Sequence, residues 1–318
     1  MFNSNLIKIM RKFTIFCFCL VISTFGFGQD TISKLAKNMK HIEATPDTVK
    51  PWKLGGFGSL SLNQAYFSNW AAGGESSIGF TGLINFHADY KKGHHSWTNN
   101  LDLTYGFNFN AIGSAQEQMR KTDDRIEFTT VYGYGISKHW DFSVLANFKT
   151  QFGKGFNYPD DSNYISKFMA PGYLIGGLGF SWKPAASFGV FISPLTSRCT
   201  FVSDGKLAHD AAFGVDSGQN FKYELGAYVR ASLNQDLAKN INLTSTVDFY
   251  SNYLKNFGNI DVNWYLLLTM KVTKWWATTI STALIYDDDI NITDLKGRTG
   301  PRTQFKENLG IGLSYKIH

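Results

Sequence analysis

From Pro51 to the C-terminus, apolar and polar residues alternate with a period of two, in segments longer than ordinary strands. In "WTNNLDLTYGFNFN" (Trp97 to Asn110), Trp97, Leu101, Leu103, Tyr105, Phe107 and Phe109 fall on one side. Thr98, Asn100, Asp102, Thr104, Asn108 and Asn110 fall on the other. This is the pattern of a strand with one apolar and one polar face. "SIGFTGLINFHADY" and "WDFSVLANFKTQF" repeat it, as do "FKYELGAYVRASLNQ", "INLTSTVDFYSNY", "DVNWYLLLTMKV", "WATTISTALIY" and "FKENLGIGLSYKI". With further segments beginning near Lys53, Arg125, Tyr173 and Phe188, the pattern predicts about 12 strands.

These segments run to roughly 10–15 residues, against the usual 5–6 of soluble sheets and the 9–11 that cross a bilayer when tilted. Their connections alternate in length. Lys91–Ser96, Ser137–His139, Lys183–Ser187, Asp236–Asn240 and Thr273–Trp275 are short. Ala111–Asp124, Gly153–Gly172, Ser203–Asn220 and Asp287–Thr303 are long, and Ser68–Glu75 and Leu254–Ile260 are intermediate. Short turns at one end and long loops at the other characterise outer-membrane barrels, with the turns periplasmic. Two aromatic belts are also expected: Trp52, Tyr90, Trp97, Trp140, Trp182 and Trp276 at the short-turn end, and Tyr66, Phe109, Phe152, Tyr173, Phe221, Tyr253 and Tyr286 at the long-loop end. The fold expected is therefore an all-β, transmembrane, antiparallel up-and-down barrel in a Gram-negative outer membrane, with both termini periplasmic. An exported sandwich has shorter strands and edges that need protection. Pro194 interrupts one strand, where a bulge or kink is expected.

Composition agrees with this architecture. The 318 residues include 27 Phe, 15 Tyr, 8 Trp and 30 Gly but 7 Pro, and 18% are charged, a mix suited to strands more than helices. Residues 1–28 read as a cleaved signal peptide: Lys8, Arg11 and Lys12 precede the apolar "FTIFCFCLVISTF", and Gly26-Phe27-Gly28 precede the cut. Residues 29–50 read as a polar periplasmic tail and 51–318 as the barrel. Removing three cations and no anions takes the formal charge from +6 to +3. Basic residues are scattered, so no nucleic-acid partner is expected. Cys199 is then the one remaining cysteine, and no intrachain disulfide can form.

Several long motifs carry a resemblance: "FSNWAAGGESS", "RKTDDRIEFTTVYGYGISKHWDFS", "TQFGKGF", "ISKFMAPGYLIGGLGFSWKP", "SPLTSRCTFVSDGKLA" followed by "AAFGV", and "TQFKENLGIGLSYK". Through them the chain resembles an uncharacterised family of outer-membrane proteins catalogued as domain of unknown function 3078. The resemblance implies an outer-membrane barrel. It supplies no activity and no catalytic residue.

The polar faces would direct His87, Asp89, Asp102, Arg125, Glu127, Asp141, Lys149, Lys222, Glu224, Arg230 and Asp248 into the lumen. There they would either tune a pathway for ions or small solutes or form a closed, salt-bridged core. Two long loops carry apolar residues, among them Phe168, Met169, Pro171, Leu207 and Phe213, suited either to a plug or gate or to packing over the barrel mouth. "DDDINITD" brings Asp287, Asp289, Asn291 and Asp294 close in sequence as weak calcium candidates. Ile292 stands where a turn glycine is needed and Arg298 where a bidentate acid belongs, so no metal is assigned. His94 and Ser96 lie close in sequence without an orienting acid, and His139 and His209 are isolated. No cofactor and no enzymatic activity are expected. The expected function is a channel or facilitator for small solutes or ions, with outer-membrane lipid around it. The competing reading is a sealed barrel that binds an envelope protein partner, and a third is a membrane hydrolase.

Overall fold

The computed structural model describes residues 51–65, 76–110, 118–158, 160–273, 275–293 and 298–317. The signal peptide, the tail, Tyr66 and Asp294 lie outside them. Twelve strands close into a barrel: β1 Trp52–Ala65, β2 Ser77–Lys92, β3 His95–Asn110, β4 Gln118–Gly135, β5 Trp140–Thr150, β6 Gly172–Ala185, β7 Phe188–Phe201, β8 Phe221–Ala238, β9 Ile241–Asn252, β10 Asp261–Lys271, β11 Trp276–Tyr286 and β12 Gln304–Ile317. Each pairs antiparallel with its neighbours in sequence, and β1 pairs with β12 from Gly56↔Ile317 to Leu62↔Ile311, so no edge is left open. Closure brings backbones close. A Cβ on Gly312 would stand 1.9 Å from the Leu60 carbonyl oxygen, so only glycine fits.

The expected parity holds across the sheet. Outward residues such as Leu54, Leu60, Ile84, Phe142 and Leu178 are exposed, whereas inward Thr104, Ser143, Asn147 and Thr200 are buried. A closed ladder satisfies every strand's backbone groups without water, and the exterior it presents is apolar; this is how a β-structure crosses a bilayer. Aromatic pairs mark the short-turn end, with Trp52 against Tyr90 at 5.2 Å, Trp52 against Trp97 at 5.6 Å and Trp140 against Trp182 at 6.3 Å. At the long-loop end Tyr105 meets Phe152 and Phe201 meets Phe221. The chain is an outer-membrane-type β-barrel.

Three local readings meet the structure differently. The bulge at Pro194 is present: β7 carries an extra residue between Ser193 and Thr196 relative to β8 and between Ile192 and Leu195 relative to β6. Ser193 Oγ donates to the carbonyls of Leu178 and Leu195, which ties the bulge down. β4 begins at Gln118 rather than near Arg125, so the connection before it is shorter than the sequence suggests. A register shift opposite Gly106/Phe107 breaks the alternation over Lys121–Asp124 and hides the strand start. Tyr173 does not join the outer belt. It shares its register position with Lys149 and Thr200 and faces the lumen.

Candidate functional site

Register places all eleven lumen candidates on the inner face of the barrel, and side-chain contacts sort them into separate groups. Central to the largest is Arg230 on β8. Its Nε and Nη2 donate to the two carboxylate oxygens of Asp248 on β9, at 2.6 and 3.0 Å. The same guanidinium reaches β4, donating to Glu127 Oε1 and Thr129 Oγ1, both at 3.2 Å. Three strands separate β4 from β8, so this contact spans the lumen. Asn147 donates to Glu127 at 2.9 Å, and Arg125 lies 3.6 Å from the other Glu127 oxygen.

Tyr265 on β10 anchors a second crossing. Lys149 on β5 hydrogen-bonds its hydroxyl, and the Arg125 guanidinium lies 5.0 Å from its ring centroid. Beside these, Asp102 accepts from Asn85 at 2.7 Å and Asn100 at 2.5 Å. Asp123 on β4 receives Lys306 at 2.8 Å and Asn308 at 2.9 Å from β12, the third crossing.

Toward the long loops, Arg198 forks onto Glu224 with two bonds of 2.8 Å and donates to Asp261 at 2.6 Å, its guanidinium 4.1 Å from the Tyr250 ring centroid. Lys222 bridges Glu224 and Asp289, and Lys255 also pairs with Asp289. Asp289 is thus engaged with two ammonium groups. Burial alone would raise its pKa, but Lys222 and Lys255 outweigh it and hold the pKa below the usual value. Its neighbour Asp287, half-buried and facing Asp261, is pushed up. Among the described residues no group of three or more His, Cys, Asp or Glu side chains is arranged to hold a metal ion.

Asp141 lies near the short turns, paired with Lys183 at 2.9 Å and within 3.4 Å of Ser96. His87 packs over Gly55, and Asp89 sits opposite Lys53 in the ladder. His94 stacks on Tyr134, while His139 lies against the Lys183 carbonyl.

The inner wall is uneven. From β4 to β9 it carries the buried cluster Leu145, Phe191, Tyr228 and Tyr250, with Val131 and Ile175 packed beside it. Across β11, β12 and β1 many inward positions are small, namely Ala277, Thr279, Ser281 and Ala283, then Gly310 and Gly312, then Ser59 and Ser61, although the same strands also turn Lys306, Asn308 and Phe57 inward. One half of the interior is filled and bridged; the other is lined largely by short side chains and is crossed once, by Lys306 and Asn308 reaching Asp123.

Two of the long loops fold onto each other. Leu207 and Ala208, in a short helix α1 (Gly205–His209), pack with Ala170, Val202 and Val215, and Phe213 and Tyr164 cover them. Met169 accepts from Ser203 through its carbonyl, Thr150 Oγ1 bonds the Pro171 carbonyl, and Phe168 stays exposed. Asp204 caps α1 at Leu207 N and pairs with Lys167 at 2.5 Å. That ammonium and the cap bond hold the Asp204 carboxyl down, at about 2.

Arg198, Asp261, Tyr265, Asp123, Lys306 and Asn308 complete these groups and escape the sequence reading. The Pro194 bulge switches the inward parity of β7, so Arg198 appears on the wrong face. The run Leu266–Leu268 blurs the alternation around Tyr265.

A model of a family described as a protein of unknown function (DUF3078) matches residues 62–156. The family resemblance is borne out over that stretch. No curated protein matches the chain. Among solved structures, the translocator domain of the autotransporter NalP from Neisseria meningitidis is similar at 10% identity, covering 89% of this chain and 92% of that one with a TM-score of 0.34. An outer-membrane channel from Pseudomonas putida F1 is similar at 12% identity, with coverages of 86% and 99% and a TM-score of 0.37. OmpF of Salmonella typhi, in complex with daunomycin, follows at 9%, with 84%, 97% and 0.28.

Proposed function

We propose that this barrel is a narrow channel or facilitator for small ions or solutes in a Gram-negative outer membrane, with its short turns and both termini in the periplasm. The observation that carries the reading is the uneven interior. Arg230, Lys149 and Lys306 link facing walls, which restricts the lumen, while β11, β12 and β1, apart from Lys306, Asn308 and Phe57, offer Ala, Ser, Thr and Gly positions past which a small polar species can pass. Mixed signs on the bridges favour small size over strong charge selection. The loop cluster around Leu207 serves as the outer cover, and no catalytic role is assigned to any side chain.

A second reading, a sealed barrel that binds an envelope partner through its folded loops, is favoured by the same bridges and by the ordered packing around Leu207. Flux from proteoliposomes separates the two. A channel releases entrapped small ions and retains larger sugars. A sealed barrel retains both, even after Glu127 and Arg230 are truncated together.

A further inference from the structure

The lipid-facing side of the barrel carries a depression across the closing seam. Two adjacent rows of outward residues cross β12, β1, β2 and β3. One reads Tyr315, Gly58, Ile84, Leu103 and the next Leu313, Leu60, Gly82, Tyr105. Each row therefore has one gap, and the two gaps lie diagonally next to each other. The space they open measures about 600 Å³, is lined almost wholly by apolar surface, and is flanked by Trp275 and Phe152. That volume lies within the roughly 300–1,000 Å³ of small-molecule sites.

Backbone packing does not demand these glycines. A Cβ on Gly58 would meet nothing within 4 Å, and one on Gly82 would meet only the Tyr105 carbonyl, at 3.8 Å. Neither has a positive φ. Glycine inside a strand weakens it and often marks a place where something else approaches closely. On this face, surrounded by exposed Leu60, Ile84, Leu313 and Tyr315, what approaches is hydrocarbon.

We propose that the Gly58–Gly82 groove is a binding site for one acyl chain of a membrane lipid, held across the β1–β12 seam. The groove is continuous with the bilayer-facing exterior and holds almost no polar surface, so the chain rather than a headgroup is recognised. Occupancy covers the short seven-pair ladder that closes the barrel.

The test uses the full barrel in bilayers containing a phospholipid whose acyl chain carries a photoactivatable diazirine, with crosslinked peptides mapped by mass spectrometry. Labelling at Leu60, Ile84 and Tyr105 is expected to saturate as the probe fraction rises, while labelling at Phe142 and Phe180, elsewhere on the exterior, rises linearly. In G58L/G82L the saturable component is expected to fall about tenfold, the change that accompanies about 1.4 kcal/mol of binding. Linear labelling at every site would mean annular lipid only and would overturn the proposal. A dimer in the wild type that is lost in G58L/G82L would assign the groove to a second copy and overturn it equally. The wild-type saturation curve stands even where the variant folds poorly, and neither readout depends on conduction through the lumen.

Discussion

Arg230 and Glu127 sit on strands separated by three others, yet Arg230 Nη2 lies 3.2 Å from Glu127 Oε1. Both side chains are about 10% exposed, at 11% and 9%. Removing Arg230 takes the cation from both Glu127 and Asp248, whereas removing Glu127 leaves Arg230 still forked onto Asp248. R230M should therefore destabilise the barrel by about 3–5 kcal/mol, E127L by less, and the double variant by less than the sum of the two. Urea titration of the refolded barrel in bilayers, arranged as a double-mutant cycle, checks this; strict additivity would mean that the pair is not coupled.

Backbone approach is tight at some glycines and open at others. A Cβ on Gly179 would stand 2.0 Å from the Ile192 carbonyl, beside the Pro194 bulge. G179A should then cost about 1–3 kcal/mol, as overpacking does, whereas G58A should leave stability unchanged or raise it by up to about 1 kcal/mol, because a strand glycine weakens its strand. Unfolding midpoints of the two variants measured side by side decide it.

The Asp204–Lys167 pair makes the loop cover sensitive to acid. Asp204 titrates at about 2, because Lys167 and the Leu207 amide favour its charged form. An unconstrained aspartate titrates near 3.9. A carboxylate whose pKa is lower when folded contributes stability above the unfolded value and loses it as pH falls through the folded one. Protection of the Leu207 and Ala208 amides against hydrogen exchange should therefore be constant above about pH 4 and decline between about pH 4 and 2. In D204N that decline should vanish and protection should be low throughout. A wild-type profile that is flat down to pH 2 would contradict the assignment.

Period-2 alternation revealed most of this architecture. "WTNNLDLTYGFNFN" places Leu103 and Tyr105 toward lipid and Asp102 and Thr104 inside, as the ladder has them. Charged residues on regular strands, Glu127 and Arg230 among them, face the lumen as their parity indicates. What alternation does not encode is which wall touches which. Arg230 reaching Glu127 depends on how the closed sheet brings β8 toward β4, and no local spacing records it. Bulges account for the remaining differences: the extra residue at Pro194 reversed the apparent facing of Arg198, and the shift opposite Gly106 concealed the start of β4. The loop cluster around Leu207 was visible only as unusual apolarity, since its partners Ala170 and Val202 come from separate segments.

Single-channel recording in planar bilayers tests the lumenal pathway most directly. Wild-type barrels should give small, reproducible steps, which E127A/R230A enlarges by removing a crossing. S281W, which places an indole on the small-residue strip beside Asn308 and opposite Leu267, should suppress them. Silence from folded wild-type and E127A/R230A barrels, or steps that S281W leaves unchanged, would contradict the pathway and favour the sealed, partner-binding barrel.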